Sequence, residues 1–245
     1  MHSDDEASFL RVANNTFMNQ LLQQLQNNDW TLLVSLPRND IELAKAALNG
    51  GAQGLKIHIN VEHFASGTKF GTFDEEKENL ESIVQLACEY SASVGIVPGG
   101  QPFATRHEFE TLAQIGIDYF DAYPGDAPAW TFEQTSLDIM LAAWNGATAE
   151  ELMSLEELGM TVCEASIMHH DDYGQPLSTL DLARYHDLAQ TISVPLIVPS
   201  QKLLRPEDQR LLQRAGAKGV LIGAIVTGRE ANTIEAATRA FRDAI

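Results

Sequence analysis

Sulfur chemistry is nearly absent from this chain: 245 residues include two cysteines, Cys88 and Cys163, without C-x-x-C spacing. That excludes a disulfide framework and leaves both to be read as small core side chains in a reducing compartment. Basic residues are also scarce, 16 Lys and Arg against 34 Asp and Glu, a net charge of −18. An acidic surface repels phosphate backbones and anionic lipid, so no nucleic acid and no membrane is expected as a partner. No apolar run reaches the roughly 18 residues of a membrane span. The opening Met1–His2–Ser3–Asp4–Asp5 is acidic where a secretory signal would be basic. A soluble, cytoplasmic protein is the expectation. No linker or low-complexity segment interrupts the chain, and residues 1–245 are read as one domain.

What is present is an alternation of short β-branched runs with longer stretches of helical period, the pattern of a parallel sheet under helices. The runs fall at 30–36, 53–60, 92–98, 117–123, 137–143, 160–166, 194–200 and 219–224. A helix follows most of them, but only 127–136 is available after the fourth, so that helix is expected to be short or irregular. Thr72-x-x-Glu75, Thr105-x-x-Glu108, Thr148-x-x-Glu151 and Thr227-x-x-Glu230 each fit a capping box. Gly50, Gly116, Gly159 and Gly216 stand where helices end, and Leu80, Ile83, Val84 and Ala87 form the stripe of a helix packed on a sheet. An extra helix over about residues 7–28 is expected to cover the barrel bottom or serve an interface. Eight units in series favour closure, which removes both sheet edges. The alternative open sheet usually carries glycines after its first strand, and Leu36-Pro37-Arg38-Asn39-Asp40 has none. The fold class is therefore α/β, a (β/α)8 TIM barrel.

Barrel sites lie at the C-terminal strand ends. On the second strand Lys56, His58 and Asn60 alternate with Leu55, Ile57 and Ile59, which puts the polar set inside. The fourth offers Tyr119, Asp121 and Tyr123, the sixth Glu164 and Ser166. Even-numbered strands share lumen layers, so Lys56 or His58 is expected to meet Asp121 and Glu164 near the axis. They are candidate catalytic groups for acid/base work, or a buried ion pair with no other role. Asn60, Gln101 and Lys202 are candidate substrate contacts. The run Met168-His169-His170-Asp171-Asp172-Tyr173-Gly174 reads as a mobile lid or solvated loop rather than a metal site, since adjacent residues point apart. The stretch 61–72 reads as a lid or anion-binding loop, and His2, His107 and His186 as surface residues.

Val194-Pro195-Leu196-Ile197-Val198-Pro199-Ser200 and Gly219-Val220-Leu221-Ile222-Gly223-Ala224 resemble the phosphate-binding end of the ribulose-phosphate-binding barrel superfamily. The resemblance implies a phosphate site at Ser200, Gly223 and Ala224, built from backbone N–H groups and a helix N-terminus. It does not extend to the acid/base residues of the family's epimerases. Pro98-Gly99-Gly100 and Val198-Pro199-Ser200 replace a lysine and a glutamate of the 2-epimerases, and His58-Ile59-Asn60 replaces a His-x-Asp of the 3-epimerases. Three readings stay open. One is an isomerase, epimerase or lyase acting on a small phosphorylated metabolite, with Lys56 as Schiff-base amine or electrostatic anchor. The second is an inactive barrel that binds such a ligand as a sensor or assembly partner. The third is a metal-dependent hydrolase. No cofactor is called for, and a homo-oligomer is allowed.

Overall fold

The computed structural model describes residues 20–245. Its eight parallel strands are β1 (Thr31–Ser35), β2 (Gly54–His58), β3 (Ser93–Val97), β4 (Tyr119–Ala122), β5 (Asp138–Trp144), β6 (Val162–Ser166), β7 (Leu196–Pro199) and β8 (Gly219–Ile222). Each pairs with its sequence neighbour, and β1 pairs with β8 to close the barrel. All eight sequence runs therefore became strands, trimmed by a residue or more at most ends. β2 stops at His58 because Asn60 adopts φ 55°, off the pleat.

The helices that follow are α1 (Gln20–Asn27, before β1), α2 (Ile41–Asn49), α3 (Phe73–Glu89), α4 (Arg106–Ile115), α5 (Ala149–Leu158), α6 (Thr179–Thr191), α7 (Gln209–Arg214), α8 (Ala224–Thr227) and α9 (Ala231–Asp243). After β4 the chain makes only a 3-10 turn at Ala129–Phe132, as the short segment required. The boxes at Thr72, Thr105 and Thr148 form, each threonine accepting from the glutamate N–H three residues on. A fourth forms at Ser178 with Asp181. Thr227-x-x-Glu230 does not cap. The end of β8 first winds the short α8, so Thr227 lies at a helix end and its hydroxyl donates to the Gly228 carbonyl. At the end of α2 the positive φ falls on Gly51 (99°) rather than Gly50.

Strand alternation separates two apolar regions. Outward residues such as Leu55, Ile57, Val94, Ile96, Phe120 and Val220 pack under the helices with Leu80, Ile83, Val84 and Ala87. Cys163 is buried there, but Cys88 is exposed, because the α3 stripe ends its inward arc at Ala87. Inward residues Leu33, Tyr119, Met140, Val162, Ile197 and Leu221 fill the lower lumen and receive Leu21 and Leu25 of α1. The first N–H groups of α1 donate to Asp118 at 2.9 and 2.7 Å, fixing that helix across the barrel bottom. The rest of the predicted 7–28 helix lies outside the described residues. With the bottom plugged, the open volume is at the C-terminal rim.

Candidate active site

Register brings the lumen polar groups together one layer above this core. Lys56 stands opposite Gly95, which stands opposite Tyr119, while Glu164 pairs with Ala142 and Asp121 with Met140. Small or flat neighbours leave the Lys56 amine free to reach across. Its Nζ donates to Asp121 Oδ2 at 2.7 Å and to Glu164 Oε2 at 2.5 Å. Ser166 Oγ donates to the other Glu164 oxygen at 2.6 Å. All three ionisable groups are buried, and Asp121 Oδ1 has no partner among the described residues.

One cation between two carboxylates in a buried site keeps the proton inventory uneven. Burial alone lowers an amine, but the charges of Asp121 and Glu164 win, and Lys56 is held above its ordinary range. Burial and the Glu164 charge push Asp121 well above the usual carboxylate range. Glu164 shares the same burial, yet the Lys56 charge and hydrogen bonds from Asp121, Lys56 and Ser166 hold it down at about 2. Of the two carboxyl groups, Asp121 is therefore the one that takes up a proton more readily, and Glu164 the one that holds its charge beside the ammonium.

His58 does not join them. Its ring is fully buried against His63 and Phe70, each with a centroid separation of 4.6 Å, and neither ring nitrogen has a partner among the described residues. Its backbone N–H donates to Asn39 Oδ1 and its carbonyl accepts from Asn39 Nδ2 at 2.6 Å. Burial, then His63 and Lys56, keep His58 neutral. The imidazole at the cavity wall is His63, whose Nδ1 lies 2.9 Å from Ser66 Oγ. Burial and Lys56 bring its pKa to about 4.

A cavity of about 320 Å³ opens above the cluster. Lys56, Asp121, Glu164 and Ser166 line it together with Ser35, Ser200 and Gly223 from β1, β7 and β8. Gly223 N–H donates to Ser200 Oγ at 2.8 Å, and α8 begins at Ala224 directly beyond. The other sequence candidates lie elsewhere. Asn60 supports the rim by donating to the Pro98 carbonyl at 3.4 Å, and Gln101 is exposed outside the cavity. Lys202 is buried in an ion pair with Asp181, 3.3 Å away. The 61–72 stretch folds into a small hairpin, Glu62–His63 with Thr68–Lys69, that hangs over the mouth. His170 lines the mouth, and among the described residues no group of three or more His, Cys, Asp or Glu is arranged for a metal ion. His107 and His186 are exposed as read, and His2 lies outside the described residues.

Sequence reasoning placed Phe64 and Tyr173 in candidate lid loops without assigning them a contact, and did not single out Asn39. All three stand in loops with no period to mark which way a side chain points.

No family model matches the chain, and no curated protein matches it. Solved structures do. A thiamine phosphate pyrophosphorylase from Pyrococcus furiosus superposes with a TM-score of 0.66 at 18% identity, covering 89% of this chain and 96% of its own. Tryptophan synthase from M. tuberculosis gives 0.68 at 14% identity over 92% and 96%. KGPDC from Streptococcus mutans gives 0.61 at 15% over 89% and 97%. Identities this low speak to architecture alone. In architecture, the chain is a single closed (β/α)8 barrel.

Proposed function

We propose that the protein is an enzyme that moves protons on a small phosphorylated metabolite, in isomerase, epimerase or lyase chemistry next to a carbonyl. The observation that carries this reading is the uneven triad at the cavity floor: an acid at Asp121, a base at Glu164 and a fixed positive charge at Lys56 within hydrogen-bond reach of both. Carbonyl α-proton chemistry requires those three functions, since negative charge grows on the substrate oxygen as carbon loses its proton. Lys56 supplies charge rather than a Schiff base, because its two carboxylates hold it protonated. When a substrate oxygen takes up Lys56, Glu164 loses its strongest stabiliser and its basicity rises toward the working range. The phosphate is assigned to Ser200, Gly223 and the start of α8 at Ala224, supported by their place beside the cavity.

A second reading, a barrel that binds such a ligand without turnover, is favoured by one observation: Lys56 is already fully engaged by its own protein.

Thermal stability measured across phosphate esters, inorganic phosphate and divalent metals tests the binding assignment, because a ligand of the folded state alone raises the midpoint. At least one phosphate ester is expected to stabilise the protein, and Gly223→Asp is expected to abolish the shift. That variant is well suited, since a Cβ at Gly223 meets only ordinary contacts at 3.5 Å and beyond. Stabilisation by metal alone, or an undiminished shift in the variant, refutes the phosphate assignment.

A further inference from the structure

The walls of the cavity differ in kind. Towards β1, β7 and β8 they include the hydroxyls of Ser35 and Ser200 and the backbone of Gly223, whereas the loops after β2 and β6 bring the rings of His63, Phe64, His170 and Tyr173. Phe64 stacks on His170 with centroids 4.5 Å apart and planes 14° apart, and Tyr173 meets both edge-on at 5.4 and 5.2 Å. These rings come from two separate loops and converge at one side of the mouth.

Phe64 is 62% exposed, a large apolar side chain left in water. Its loop does not leave it there by fraying: Ser66 and Phe70, which follow it, are buried, and Gly67 N–H donates to the His63 carbonyl at 2.8 Å. Tyr173 is similarly fixed, because Gln201 Nε2 donates to its hydroxyl at 2.6 Å and Gln201 Oε1 accepts from Met168 N–H. An anchored exposed ring facing a cavity marks a contact surface. Val61 and Ala65 add apolar surface on that side, next to Glu62 and His63. Three converging rings offer faces and edges that a flat ring matches better than a polyhydroxylated chain does.

We propose that Phe64, His170 and Tyr173 form a subsite for a flat unsaturated ring carried by the substrate, at the mouth of the cavity that Ser200 and Gly223 also line. The inference rests on the phosphorylated-substrate reading and narrows it from sugar-like esters to aryl or heteroaryl ones. Edge and face contacts with aromatic side chains are each worth about 0.5–1.5 kcal/mol beyond area burial, or about 2- to 13-fold in affinity.

Calorimetric titration with benzyl phosphate, propyl phosphate and benzyl alcohol separates the two parts. Benzyl phosphate is expected to bind at least about fivefold more tightly than propyl phosphate. The advantage is expected to disappear in Phe64→Ala and to shrink in Tyr173→Leu, with propyl phosphate binding unchanged in both. Equal binding of the two esters overturns the ring subsite while leaving the phosphate assignment intact. A ring preference that survives both substitutions overturns it as well. Benzyl alcohol binding as tightly as benzyl phosphate, with the preference lost in Phe64→Ala, upholds the ring subsite and refutes the phosphate assignment. No binding by any of the three overturns both.

Discussion

Replacing Lys56 with Met is expected to destabilise the barrel by about 3–5 kcal/mol, because it leaves Glu164 buried without its counter-charge. For a chain of this size that is a fall of about 6–20 °C in melting temperature. The loss carries a pH signature. In the native protein Glu164 is held at about 2, below its unfolded value, so its contribution is fully present above the ordinary carboxylate range and fades as pH falls towards 2. In Lys56→Met the burial that remains pushes the carboxylate up instead. The folded variant then binds more protons than its unfolded chain, and its stability falls as pH rises. The deficit relative to the native protein is therefore expected to be larger at pH 8 than at pH 4. Chemical unfolding at the two values measures it, and a deficit independent of pH would contradict the ionic account. The two carboxylates should also separate. Asp121 takes up a proton more readily than Glu164, so Asp121→Asn is expected to be the milder change, whereas Glu164→Gln removes the anion that Lys56 requires and is expected to approach the cost of Lys56→Met.

Outside the ion cluster, the largest expected effect is that of Gly95→Ala, one methyl group added to the lumen face of β3. A Cβ there would lie 2.0 Å from Tyr119 Cζ and 2.1 Å from Cε2, inside the ring itself. Tyr119 is fully buried among Leu33, Met140, Val162 and Ile197 and has no room to withdraw. Overpacking of this kind costs about 1–3 kcal/mol. A Tyr119→Leu background is expected to recover most of that cost, so the two substitutions should be strongly non-additive. Urea midpoints of the four proteins give the coupling, and simple additivity would show that Gly95 serves something other than passage of the tyrosine ring.

How much of this was legible follows from where periodicity operates. On β2, β4 and β6 the two-residue repeat identifies the inward set, and an even-strand layer then implies that Lys56, Asp121 and Glu164 meet. His58 obeys the same repeat, yet it stands at the strand's last residue, where the hairpin folds Phe70 and His63 against it and takes it out of the cavity. Asn60 was assigned to the strand, but its left-handed backbone ends the repeat first. Lys202 and Gln101 lie in loops where no repeat applies, and local pairing with Asp181 or solvent decides their direction. The directions of Phe64 and Tyr173 are invisible for the same reason. The failed box at Thr227 is of another kind, because a threonine and a glutamate at box spacing cannot reveal that α8 intervenes.

The central claim is that Asp121, Glu164 and Lys56 form a proton-transfer site rather than a structural ion cluster. Incorporation of solvent deuterium next to the carbonyl of a stabilising phosphate ester, followed by NMR, tests it most directly. Exchange is expected with the native protein and is expected to be lost in both Glu164→Gln and Asp121→Asn, although the second variant should melt closer to the native protein than the first. Exchange that continues unchanged in both variants, or a native protein that binds the ester tightly and exchanges nothing, would contradict the claim.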